Sequence, residues 1–353
     1  MISQYLNKIP VTYYGKRSLE VLKEIKKEDI TIVYSKSIEK NEEFQKIKAS
    51  LINKRINWII PKENTITEIN KTAKEINKSE LIIAVGGGNI IDFSKLLRIK
   101  INNPEIDLTQ IKNITLLEKN IDLIVIPSTP STGSQVTPIA ITHNRERKEK
   151  VIIINEGNIP ELVILSPQLL ITISEKQMAE FICDIFAHSI EAYLSRLTNI
   201  FVQDLAEMNL KKLVENWKIY REKNNDLIVL EKIAMNGQIG GICQGNAYVG
   251  VMHSIAHQLE LLNGVSHSKA LLHIIKSVLE WYKKETEKEI YTQFINYFDE
   301  LEIESYKEDI FKGNIDEEEL IKKIISDPSI KTSPIIFNEE KVRDLVKWIL
   351  MKK

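Results

Sequence analysis

Three of the chain's six histidines lie within fifteen residues of one another, in the segment GVMHSIAHQLELLNGVSHSKA at 250–270. His253 and His257 are four apart, so on a helix they share one face a turn apart, and His267 follows in the loop beyond. Asp184 and His188, in FICDIFAHSIEAYLS, repeat that spacing, with Glu191 three residues further on. One Asp–His pair at this spacing is commonly a hydrogen-bonded pair, and one histidine is commonly a core or surface residue. A carboxylate joined by several imidazoles is instead a donor set for a divalent cation, and it accepts Fe(II), Zn(II), Mn(II), Co(II) or Ni(II).

A second chemistry is written in glycines and hydroxyls. LIIAVGGGNIIDFSK sets Gly86, Gly87 and Gly88 between an apolar strand and the start of a helix. Backbone without Cβ atoms lets a ligand approach closely, and the unpaired N–H groups of a helix N-terminus attract phosphate. The spacing is not GxGxxG, and a tight turn can want glycines for geometry alone. The run STPSTGSQVT after the next strand brings Ser128, Thr129, Thr132, Ser134 and Thr137. In an open parallel sheet both loops lie at the carboxyl edge, where one cofactor can use both.

Two textures of chain must position these groups. Up to about residue 165, β-branched runs (DITIVYS, INWIIP, LIIAV, LIVIP, ELVIL) alternate with helical patterns, which predicts a parallel sheet with helices on both faces. Beyond residue 166 the strands stop, and apolar residues recur at helical spacing, as in 178–197 and 227–244, which predicts an all-α bundle. A chain of 353 residues exceeds one ordinary core, so the expected domains are an α/β unit over 1–165 and a helical unit over 166–353.

Composition narrows the classes. With 48 basic and 49 acidic side chains interspersed, nothing marks a nucleic-acid or membrane partner. The apolar runs fall far short of the roughly 20 residues of a membrane span. MISQYLNKIP carries no export signal, so a cytoplasmic protein is expected. Cys183 and Cys243 are expected to be free core thiols.

In order and spacing, GGGNIIDFSK, PSTPSTGSQVT, DIFAHSIEAY and VMHSIAHQL followed by HSKA resemble the iron-containing (group III) alcohol dehydrogenase superfamily, whose relatives include glycerol dehydrogenases and dehydroquinate synthases. The C-terminal IISDPSIKTSPIIFNEEKVRDLVKWIL extends the likeness. The resemblance implies a Rossmann-like α/β domain, a helical domain, a dehydroquinate synthase-like fold and an active site in the cleft between the domains. It implies Asp184, His188, His253 and His267 as metal ligands and His257 beside the nicotinamide as proton handler. Gly86, Gly87, Gly88 and Asn89 match its pyrophosphate loop, Asp92 and Lys95 the acid and lysine that follow, and Thr129 and Thr132, with Ser128 and Ser134 beside them, its second cofactor loop; Lys150 matches a lysine near the phosphates. His257 and Asp92 form the expected catalytic set.

The implied function is a metal-dependent NAD(P)-linked oxidoreductase interconverting an alcohol and an aldehyde or ketone, with Fe(II) the first expectation and Zn(II) the second. The alternatives are a dehydroquinate synthase-like lyase or cyclase, which wants more Lys and Arg than Lys95, Lys150 and Lys269 supply, and a non-catalytic nucleotide-binding relative. Where NAD-preferring relatives carry Asp after the first nucleotide-fold strand, this chain carries Ser35, followed by Lys36, so NADP(H) is expected ahead of NAD(H). A homodimer is expected through the β-rich KIPVTYYG. Asn89, Gln135 and Ser268 depart from the family's usual Ser, Glu and Gly, and the helical stretch after Leu271 is shorter than is typical, which leaves the particular alcohol or carbonyl open.

Overall fold

The computed structural model of the protein describes residues 6–111, 115, 117–145, 149–308, 310 and 316–352. The N-terminal stretch read for an export signal lies partly outside them. The chain forms two compact units, Met1–Thr172 with Asn225–Gly245, and Ile173–Asn224 with Asn246–Lys353.

Among the described residues the first unit carries eight strands: β1 (Val11–Tyr14), β2 (Asp29–Tyr34), β3 (Arg55–Ile59), β4 (Leu81–Gly86), β5 (Asp122–Pro127), β6 (Ile139–Asn144), β7 (Glu149–Ile154) and β8 (Leu162–Leu165). Six of them form a sheet in the order β1-β8-β5-β4-β2-β3, with every pairing parallel. Central strands β2 (DITIVY) and β4 (LIIAVG) are buried along their whole length, as strands covered on both faces must be. Phe44 and Ile47 of α1 (Glu42–Ser50) pack on Ile30, Ile32 and Ile83. On the opposite face, Ile69 of α2 (Ile66–Glu75) and Phe93 and Leu97 of α3 (Gly88–Asn102) pack on Val33, Ile82 and Ala84.

Strands β6 and β7 make a separate antiparallel hairpin, which the alternating texture does not announce. The division also differs from a single cut after residue 165. Helix α6 (Leu227–Ala247) packs into the first unit, because Gly133 and Gly241 let two backbones meet: a Cβ on Gly241 would stand 2.6 Å from Gly133 Cα. Gln238 Nε2 also donates to Thr12 Oγ1 at 2.8 Å.

The second unit is helical: α4 (Glu175–Leu194), α5 (Ile200–Glu222), α7 (Val251–Asn263), α8 (His267–Thr286), α9 (Ile290–Asp299), α10 (Glu317–Ser326) and α11 (Glu339–Met351). Helix α4 opens with a capping box, Ser174 accepting from Gln177 N while the Gln177 side chain reaches back to the cap backbone. It packs against α5 and α8, and α7 packs against α8. Among the described residues no helix is long and apolar enough to cross a membrane.

Candidate functional site

Helix α4 presents Asp184 and His188, α7 presents His253 and His257, and His267 is the first residue of α8. Around Asp184 Oδ1 stand three imidazole nitrogens: His188 Nε2 at 3.6 Å, His253 Nε2 at 3.6 Å and His267 Nε2 at 3.8 Å. Those separations are too long for hydrogen bonds. They are close to the edge of a tetrahedron of donors at metal-ligand bond lengths, about 3.4 Å. Asp184 Oδ1 and His253 Nε2 are both buried and neither makes a hydrogen bond, an arrangement that costs free energy unless something binds there. Asp184, His188 and His253 are almost wholly buried, and the His267 side chain is the most exposed of the four at 24%. Asp184, His188 and His253 offer ligand atoms within 4.8 Å of one another, a donor set that fits a divalent cation, and His267 approaches Asp184 from the start of α8.

The charges of the cluster respond to one another. Burial pushes the Asp184 carboxyl up, but His188, His253 and His267 outweigh it and hold it well below the usual carboxylate range. Burial pulls His253 down, while Asp184 and Glu191 overcome it and set its pKa at about 9.

His257 Nδ1 lies 3.0 Å from Asp327 Oδ2, which also accepts from Gln258 Nε2 at 3.1 Å; Ser329 N donates to Asp327 Oδ1 at 2.9 Å. Sequence reasoning missed Asp327. Its visible signal is that of a helix start, Asp-Pro-Ser, seventy residues beyond its partner. Glu191 was visible one turn past His188, but its contact with His253 was not.

In the first unit, Ser35 follows β2, Gly87 follows β4 and Ser128 follows β5. Ser35 N donates to Val85 O at 3.1 Å and Ser128 N to Gly86 O at 3.0 Å, so the three loops lie side by side at the sheet's carboxyl edge. The chain passes from β2 to β3 on one side and returns to β4 on the other, which makes this a topological switch point. Gly87 caps α3 without any side-chain hydrogen bond. A Cβ on Gly87 would meet Thr129 Oγ1 at 3.4 Å, and one on Gly88 would meet Thr132 Cγ2 at 3.2 Å. Thr129 Oγ1 is buried without a partner, while Thr132 Oγ1 accepts from Ser134 N at 3.3 Å. Asn89 is exposed at the start of α3.

The other expected cofactor residues make contacts within the protein. Asp92 Oδ1 accepts from Ser134 Oγ, and its Oδ2 accepts from Ile141 N at 3.0 Å. Lys95 is fully buried, donating to Thr137 O at 3.0 Å and Ile139 O at 2.6 Å, with its Nζ 3.9 Å from Asp92 Oδ1. Burial raises the Asp92 pKa and lowers that of Lys95 to about 8. These three side chains therefore tie α3 to the turn that leads into β6. Lys150 stands on β7 opposite His143, and Ser35 Oγ lies 2.7 Å from Ser37 Oγ.

Two family models match the chain: "Iron-containing alcohol dehydrogenase" over residues 10–167 and "Fe-containing alcohol dehydrogenase family, C-terminal" over 179–324. Aldehyde-alcohol dehydrogenase 2 of Entamoeba histolytica is 28% identical over 211 residues, covering 57% of this chain and 24% of its own length. The chain thus spans about a quarter of that relative. NADPH-dependent butanol dehydrogenase of Clostridium saccharobutylicum is 25% identical over 96% of this chain and 95% of its own. The solved iron-containing alcohol dehydrogenase of Thermococcus thioreducens superposes with a TM-score of 0.87 at 19% identity, covering 99% of this chain and 100% of that one, a likeness of fold. Carried by both family matches, the conclusion is that this chain belongs to the iron-containing alcohol dehydrogenase family.

Proposed function

We propose that the chain is a metal-dependent, NAD(P)-linked oxidoreductase that interconverts an alcohol with an aldehyde or ketone. The observation that carries this is the convergence of three imidazole Nε2 atoms within 3.8 Å of one buried carboxylate oxygen, Asp184 Oδ1. Asp184, His188, His253 and His267 hold the cation, Fe(II) first and Zn(II) second. A divalent cation supplies Lewis acidity toward the substrate oxygen, and a nicotinamide gives or takes the hydride. Gly86, Gly87, Gly88 and Asn89 receive the pyrophosphate on the α3 N-terminus, with Ser128, Thr129 and Thr132 beside it; Asp92, Lys95 and Ser134 brace that edge from behind, and Lys150 lies toward the phosphates. Asp327 faces His257 Nδ1 at 3.0 Å and orients that ring, which is the proton handler of this reading.

Related butanol dehydrogenases include one named NADH-dependent and one named NADPH-dependent, so local chemistry must choose the cofactor. A hydroxyl at Ser35 in place of a carboxylate removes repulsion of a 2′-phosphate, and on that ground the reading favours NADP(H). It also makes the protein a homodimer. Edge strand β1 exposes Val11 at 62%, Tyr13 at 47% and Tyr14 at 58%, an apolar edge that invites a second copy. Anaerobic metal analysis together with a screen of alcohols and aldehydes, following NADPH and NADH absorbance, tests the reading. Turnover that requires bound metal supports it; nucleotide binding without metal or turnover favours a non-catalytic relative.

A further inference from the structure

Glu191 stands one turn beyond His188 on α4, and nothing above gives it a task. It is buried, and each of its oxygens meets one donor from α7. Oε1 accepts from the Met252 backbone N–H at 2.6 Å, and Oε2 faces His253 Nδ1 at 2.6 Å. Helix α7 begins after Gly250 with no capping side chain of its own, so Glu191 supplies from α4 the acceptor that an N-cap residue normally provides. A Cβ on Gly250 would lie 3.0 Å from Oε1, so the glycine is what lets the carboxylate come this close.

The two contacts dictate a proton position. Oε1 is committed to an amide that can only donate. Oε2 of an ionised carboxylate can only accept, so at 2.6 Å His253 must carry its proton on Nδ1. The lone pair of the neutral ring is then on Nε2, the buried atom with no hydrogen bond that faces Asp184 Oδ1 at 3.6 Å. We infer that Glu191 is a positioning residue for the metal centre: it caps α7 and fixes His253 in the Nδ1–H tautomer, which keeps Nε2 available to a cation. The inference rests on the metal reading above. It explains why the residue is a carboxylate. A glutamine has one carbonyl oxygen for two donors, so it either abandons the Met252 amide or turns its NH₂ toward His253 Nδ1, and the latter drives the proton onto Nε2.

The test is equilibrium dialysis of the full-length, metal-depleted chain against chelator-buffered Zn(II), for the parent, Glu191→Gln and Ser189→Ala. Ser189 is a buried α4 residue bonded to Ile185 O at 2.9 Å and Asn209 Nδ2 at 3.0 Å, so Ser189→Ala reports general loosening of the helix. The expected result is Zn(II) affinity about 10- to 100-fold weaker in Glu191→Gln and unchanged in Ser189→Ala. Parental affinity in Glu191→Gln, or equal weakening in both variants, overturns the role of Glu191 and leaves the metal reading standing. A parent that binds no Zn(II) overturns both. If Glu191→Gln does not fold, ¹⁵N spectra of the histidine-labelled parent with Zn(II) decide alone: a protonated Nδ1 and metal-bound Nε2 on His253 support the inference, and the reverse overturns it.

Discussion

Gly133→Ala probes the junction that shapes the loop after β5, the proposed second cofactor loop. Gly133 has φ +63°, and a Cβ there would stand 2.7 Å from Gly241 Cα and 3.0 Å from Gln244 Oε1. The left-handed conformation costs an alanine roughly 1 kcal/mol. The clash adds more, because its partner is helix backbone, which cannot rotate away; overpacking of this kind costs about 1–3 kcal/mol. The expected loss is therefore about 2–4 kcal/mol, read by urea unfolding followed by circular dichroism. Gly241→Ala separates the two contributions. Its Cβ would meet Gly133 Cα at 2.6 Å, Gly133 O at 2.7 Å and Val136 Cγ2 at 2.7 Å with no left-handed φ involved, so its expected loss of about 1–3 kcal/mol comes from overpacking alone. Because Gly133 sits between Thr132 and Ser134, NADPH affinity by fluorescence titration should fall in the same variant. A Gly133→Ala protein within about 0.5 kcal/mol of the parent, the ordinary range for a neutral surface change, would refute the close-approach argument.

Lys95 gives a pH signature. Its folded pKa of about 8 lies below the ordinary 10.5, so its unfavourable contribution is fully present below pH 8 and fades as pH rises toward 10.5; the urea midpoint should gain from this group across that window, and Lys95→Met should flatten the gain. Equal slopes in parent and variant would assign the pH dependence to other groups. Ser35→Asp should shift the ratio of kcat/KM for NADPH over NADH toward NADH by on the order of tenfold, through a carboxylate facing the 2′-phosphate; a parent that favours NADH, or an unchanged ratio, shows that this loop does not select the cofactor. Light scattering at micromolar concentration should return twice the chain mass, and Val11→Lys on the exposed edge of β1 should return it to one; a monomeric parent contradicts the dimer.

Much of the site was legible because local geometry links sequence spacing to space. Asp184 with His188, and His253 with His257, are i, i+4 pairs that must share a helix face, and an uninterrupted apolar strand followed by Gly86–Gly88 must end in a tight turn onto a helix. Five of the six sheet strands are the β-branched runs, and β1 falls in KIPVTYYG. What was not legible depends on contacts between distant segments. Helix α6 looks like any apolar helix, and contacts such as the Gly133–Gly241 approach and the Gln238–Thr12 hydrogen bond assign it to the α/β unit. Asp92 and Lys95 were read as cofactor residues, while their contacts with Ser134 and Thr137 of the turn before β6 and with Ile139 and Ile141 of β6 have no periodic signature. Asp327 meets His257 only because the C-terminal segment folds back on α7.

The central claim is that one cation, held by Asp184, His188, His253 and His267, is required for alcohol–carbonyl turnover. Its most direct test is metal per chain and aldehyde-dependent NADPH oxidation, measured anaerobically on the same samples of the parent and of His267→Ala, the variant that removes the most exposed ligand and so disturbs packing least. The account predicts one Fe(II) per reconstituted parent chain, activity that disappears on chelation and returns with added Fe(II), and joint loss of metal and activity in His267→Ala. Full oxidation by the metal-free parent, or full metal content with full activity in His267→Ala, would contradict it.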